Sequence, residues 1–172
     1  MKKLIPIFLA FFLVGCHSYS AYKDYYTDPA DYSQIWSLSG FYRGDEEISP
    51  LFPHRIDTLN VTTFFCRYDQ QLPLGEGVQL LLEIQYSDPY AFAQEVDRLT
   101  ALTFPCPDAF DDLEGYALQL GENLASEYCL IDRKQQTISY VYLNNIPREQ
   151  VEFDHRYIPK GYSGYGEMEV IP

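Results

Sequence analysis

The amino-acid sequence predicts an α+β fold, an antiparallel sheet of about five strands packed against one main helix over 88–102, with a short helix near the N-terminal end. Three observations lead there. Five segments, 61–68, 78–86, 115–120, 126–132 and 137–143, are dense in β-branched and aromatic residues or alternate apolar with polar positions. One stretch alone repeats apolar residues at sustained helical spacing, with Phe92, Val96, Leu99 and Leu102 three or four positions apart. Two pairs of the β segments are joined by turn-forming residues, which favours antiparallel hairpins over parallel crossovers.

The elements follow in chain order. Asp28-Pro29 opens the short helix, with Asp28 placed to accept a backbone N–H and Pro29 at the first helical position, where its missing donor costs nothing. Tyr32, Ile35 and Trp36 fall on one face, and Gly40 ends it. The stretch to Asn60, with Asp45, Glu46, Glu47, Pro50 and Pro53, has the composition of an irregular loop. Segments 61–68 and 78–86 form the first hairpin, linked through Pro73, Gly75 and Gly77. Asp88-Pro89 repeats the helix-opening pair. The likeness of Tyr26-Thr27-Asp28-Pro29 to Tyr86-Ser87-Asp88-Pro89 is explained by shared capping chemistry. After a loop over 105–112 come the last three strands, the final two joined by the polar turn Arg133-Lys134-Gln135-Gln136. The tail from Asn144 holds Pro147, Pro159, Gly161 and Gly164, with 151–153 and 168–171 as short edge strands at most. Phe64, Leu81, Tyr128 and Val141 fall outside the main apolar face of their strands. Either loops and the tail cover that second side, or it recognises a partner.

At the N-terminal end, Lys2 and Lys3 precede an apolar run of eleven residues, Leu4 to Val14, that closes on Leu13-Val14-Gly15-Cys16. The run contains Pro6 and falls short of the about 20 residues a spanning helix needs. This pattern resembles the export signal and lipobox of a bacterial lipoprotein. The resemblance covers residues 1–16 only, and no family is recognised in the remainder. It implies cleavage after Gly15 and a diacylglycerol thioether on Cys16, whose two acyl chains hold a protein stably at a membrane. The chain then divides into a signal peptide 1–15, a lipidated tether 16–27 and a single α+β domain 28–172 with an irregular C-terminal tail. The implied location is extracytoplasmic, at the cell membrane. In a Gram-negative cell, His17 in place of Asp implies sorting to the outer membrane.

Composition bounds the function. Loss of residues 1–15 removes Lys2 and Lys3 and no acid, so ten basic residues face 25 acidic ones. Such an excess excludes nucleic acid, whose phosphates require clustered Lys and Arg. It suits solubility, or attraction to a cationic partner. Besides Cys16 the chain holds Cys66, Cys106 and Cys129, whose spacing matches neither a C-x-x-C redox pair nor a zinc set. Cys66 and Cys129 fall in apolar strand segments, so buried thiols are expected there, with a Cys66–Cys129 bridge as the alternative, while Cys106 falls in a loop between Pro105 and Pro107.

No complete catalytic set is visible. His17 lies in the tether, His54 in a proline-rich loop and His155 in the tail beside Asp154, and no G-x-S-x-G motif occurs. Asp108, Asp111, Asp112 and Glu114 offer oxygens for calcium without the glycine-centred register of an EF-hand, so a solvated acidic loop is expected and no metal or other cofactor. Sixteen tyrosines, eleven phenylalanines and one tryptophan remain to be placed. Packing in a core with the hydroxyl at its rim, or plain solvent exposure, is the favoured reading; the candidates for exposed partner contacts are Tyr157, Tyr162 and Tyr165 in the tail, with Tyr22, Tyr25 and Tyr26 of the tether.

These features favour a non-catalytic, lipid-anchored binding module of the envelope, held at the membrane through Cys16 and recognising an envelope protein or glycan. Two other readings compete with it. One is an acidic inhibitor or immunity-type protein directed at a cationic envelope enzyme. The other is a glycan-acting enzyme that uses a carboxylate pair such as Asp111 and Glu114.

Overall fold

Seven strands form one antiparallel sheet, two more than the sequence predicts, in the order β1-β2-β3-β7-β6-β5-β4. Their ranges are β1 Tyr22–Tyr26, β2 Asn60–Gln71, β3 Gly75–Gln85, β4 Phe104–Pro105, β5 Glu114–Glu122, β6 Ala125–Asp132 and β7 Thr137–Asn144. The computed structural model describes residues 22–37, 49–71, 75–122 and 125–164. The leader 1–15, Cys16, His17, Gly40, the Asp45-Glu46-Glu47 cluster, Tyr165 and segment 168–171 lie outside them.

All five expected strands are present, and the two added ones stand at the sheet edges. β1 falls inside the stretch assigned to the tether, which corrects that assignment for Tyr22–Tyr26. Its sequence, YKDYY, lacks an apolar alternation because the strand is held by backbone pairing to β2, with Tyr25 packed edge-on against Phe65 at 5.5 Å. β4 is only two residues long and includes Pro105, which no periodicity can announce. The segment 151–153 forms no strand and instead joins two single-turn 3-10 helices, Arg148–Gln150 and His155–Tyr157.

The helix expected over 88–102, α1, spans Pro89–Leu102 without clearly dominating the fold, and it begins as expected: Asp88 caps it by accepting from Tyr90 N at 2.9 Å, with Pro89 in the first turn. The equivalent bond from Ala30 N to Asp28, also 2.9 Å, opens the N-terminal helix, a 3-10 helix over Pro29–Ser37. Fourteen residues of α1 give a length of about 21 Å at about 1.5 Å per residue. It leaves the sheet centre at β3 and delivers the chain to the far edge at β4, four interstrand spacings or about 19 Å away. The helix length therefore matches the crossing it makes.

The sheet is covered on both faces. On the first, Phe92, Val96 and Leu99 of α1 meet Leu80, Leu82 and Ile84 of β3 and Ile138 and Tyr140 of β7. The helix is not alone there, because Tyr32, Ile35, Leu51 and Phe52 complete the same cluster. Full burial of each such side chain is worth about 1.5–3 kcal/mol. On the second, Phe65, Leu81, Tyr128, Leu130 and Val141 are buried beneath Phe110 and the C-terminal residues Val151, Phe153, Tyr157, Ile158 and Tyr162. Phe64, expected on this side, packs in the first cluster instead, and its neighbour Phe65 takes the second; for Leu81, Tyr128 and Val141, coverage by loop and tail is the fate observed. Burial on both faces is why β6 and β7 read as nearly unbroken apolar runs.

Cys66, Cys106 and Cys129 are free and buried. Cys66 on β2 and Cys129 on β6 have β3 and β7 between them, about 14 Å across the sheet, well beyond the roughly 7 Å limit for a disulfide. The alternative bridge is excluded by topology.

Candidate functional site

The C-terminal segment 146–164 is a strap bound to the second face by side chains that reach its backbone. Gln79, fully buried on β3, donates from Nε2 to the Gln150 carbonyl at 3.2 Å and accepts the Glu152 N–H at 2.8 Å. Tyr128 donates to the Tyr157 carbonyl at 2.7 Å, and Tyr162 to the Ile146 carbonyl at 2.9 Å. Arg67 joins the sheet to the strap through Glu152 while pairing with Asp69 at 2.7 Å. Gly164, with φ +90°, closes the strap where any side chain would strike the Ile146 carbonyl.

Glu83 is the polar centre beneath the strap. Its carboxylate accepts from Thr62 at 2.7 Å, Ser139 at 3.1 Å and Tyr157 at 2.7 Å, with Arg156 at 3.9 Å. Burial, and then the bond to Glu83, raise the Tyr157 phenol above its ordinary range, so the proton stays on tyrosine.

Beside this centre, the strap and the acidic loop enclose a cavity of about 280 Å³. Phe110 and Ile158 give it apolar wall, while Asp112, Asp132, Arg148 and His155 give it charge and hydrogen-bonding capacity. Arg148 donates one bond, to the Pro159 carbonyl at 2.8 Å, and among the described residues it has no carboxylate partner. His155 likewise makes no side-chain bond among the described residues. Asp154 turns away from it and caps the 3-10 helix by accepting from Arg156 N at 2.9 Å. Lys160 and Asp111 pair with each other at the rim, at 2.5 Å.

A larger cavity of about 540 Å³ lies between α1 and the loop around Pro50, Pro53 and His54. Its charged groups are already engaged. Arg98 binds Glu95 and the carbonyls of Pro50 and Leu51, and Glu95 also accepts from Tyr140 at 2.7 Å. His54 stacks on Trp36 at 5.5 Å. This arrangement latches the loop to the helix.

No family model, curated protein or solved structure matches the chain. The chemistry of the site therefore rests on its own residues, and several sequence expectations change. Tyr157 and Tyr162 are each only 5 % exposed, so neither presents the surface contact expected of it. Their rings fill the core and their hydroxyls tie the strap. Tyr25 is exposed at 58 %, as expected for a contact residue, but in a strand. Asp111 is 80 % exposed and paired with Lys160, and Glu114 pairs with Arg133 at 2.8 Å, so each of the two acids faces a cation of its own. Among the described residues no group of three metal-ligating side chains converges.

Glu83, Asp132, Arg148 and Arg156 enter the site without having been singled out in the sequence. One signal marked the two arginines. In a strongly acidic chain, Arg148, His155, Arg156 and Lys160 all fall within thirteen residues of a tail otherwise read as irregular. Gln79 and Glu83, two polar residues on one face of an apolar strand, marked where that tail would dock.

Proposed function

We propose that this chain is a lipid-anchored, extracytoplasmic binding module of the cell envelope and that its binding surface is the cavity between the strap and the acidic loop. The observation that carries the reading is Arg148, a partly buried residue that lines the cavity and donates, among the described residues, a single hydrogen bond. An arginine with donors to spare in a concave site is fit to bind an anionic group of a partner. The rigid attachment of the strap supports recognition by a preformed surface. The anchor rests on the Leu13-Val14-Gly15-Cys16 pattern. No helix among the described residues is long and apolar enough to cross a membrane.

The test has two arms in cells producing the full chain. Mass spectrometry is expected to find a chain beginning at an acylated Cys16; an intact, unacylated Met1 overturns the anchor. A photo-crosslinking residue at position 155 is expected to trap a discrete envelope component, while the same residue at Gln94, on the exposed side of α1, does not. Equal trapping at both positions, or none at 155, overturns the binding surface.

A further inference from the structure

Resting on the binding reading above, we infer that the cavity beside Arg148 recognises a small zwitterion, the free carboxylate and free ammonium group of an amino acid or a short peptide. At about 280 Å³ it stands near the lower limit of ligand pockets, which begin at about 300 Å³, and so suits a molecule of one or two residues. Arginine presents five N–H donors in a planar fork, and Arg148 uses one of its own on Pro159. The remaining donors match a carboxylate in bidentate geometry.

The rest of the wall selects among anions. Lys160 and Asp111 pair with each other, and Arg156 is held by Tyr157, Asp154 and Glu83. Asp112 makes no side-chain bond among the described residues. Asp132 uses one oxygen, Oδ1, to accept Lys134 N and Gln135 N at 2.9 and 3.0 Å. A phosphate dianion entering here meets these two carboxylates and is repelled. A carboxylate that brings its own cation is matched on both sides, and Phe110 and Ile158 accept an aliphatic side chain. Among anions, this mixed lining favours the zwitterion over phosphate.

The experiment is isothermal titration of the full chain in detergent with L-alanyl-L-alanine, L-alanine, the dipeptide amide, N-acetyl dipeptide, acetate and inorganic phosphate. The dipeptide or the amino acid is expected to bind saturably, and the better of the two reports the length accepted. Blocking either charged end is expected to weaken binding at least tenfold. Arg148→Gln is expected to do the same, its folding checked by thermal melting because the Pro159 contact changes. Asp112→Asn, which breaks no side-chain bond among the described residues, is expected to weaken the free dipeptide but leave the N-acetyl form unaffected. Phosphate or acetate binding as tightly as the dipeptide overturns the inference, as does unchanged binding by folded Arg148→Gln. Absence of all binding beside a retained crosslink at position 155 overturns the ligand class alone, while absence of both removes the cavity as the site.

Discussion

The Tyr157 hydroxyl donates to Glu83 Oε2 at 2.7 Å although 74 positions separate the two residues. This bond fastens the C-terminal strap to the centre of the sheet, and it lies next to the cavity that Arg148 lines. Stability of the strap and shape of the site are thus linked.

Tyr157→Phe keeps the buried ring and removes the donor. Glu83 retains the Thr62 and Ser139 hydroxyls, so the expected loss is about 1.5–3 kcal/mol, the scale of a hydrogen bond to a charged group. Urea unfolding measures it. Hydrogen exchange should also quicken at residues 155–160 more than in β6, and uniform change across the chain would refute the local role.

Gln79→Leu leaves the Gln150 carbonyl and the Glu152 N–H without their partner under the strap. Two orphaned backbone groups make this costlier than the tyrosine change, about 2–4 kcal/mol. An unchanged unfolding midpoint in guanidinium chloride would show that Gln79 does not hold the strap.

Alkali should destabilise the fold. Burial pushes the thiols of Cys66 and Cys129 and the phenol of Tyr86 each up to about 12, from ordinary values of 9 for the thiols and 10 for the phenol. A raised folded value means that protonation favours the native state. The resulting stability is complete below about pH 9 and is lost as pH rises toward 12, at roughly 1 kcal/mol per pH unit for each group. Thermal melting from pH 7 to 11 should give a plateau and then a steep fall above pH 9; a melting temperature constant to pH 11 contradicts the burial of these groups.

Thiol labelling separates three buried cysteines from a bridged pair. Cys66 and Cys129 are fully buried and should resist a thiol reagent in the native protein, then react at once in denaturant without prior reduction. Failure to label either until a reductant is added would indicate a disulfide.

Local physics made much of the scaffold legible. Asp28-Pro29 and Asp88-Pro89 announced two helix starts because the capping bond lies within two residues of the aspartate. The alternation in β3 and the apolar runs of β6 and β7 announced strands because each must bury at least one face. β1 and β4 escaped notice because edge strands are held by backbone pairing, which leaves no mark in side-chain pattern.

What the amino-acid sequence determined by itself is therefore the α+β class, the five inner strands, the capped helix and the acidic balance, all of which follow from composition and from contacts between near neighbours. Tertiary structure alone decided that the tail becomes a strap, that Tyr157 and Tyr162 turn inward, that two strands stand between Cys66 and Cys129, and that Arg148 comes to line a cavity with Asp112 and Asp132. The reason is physical. A tyrosine in an irregular segment is equally suited to solvent or to a core rim, and the choice is made by Glu83 on β3 and the Ile146 carbonyl at the start of the strap, partners that only the folded chain brings within reach.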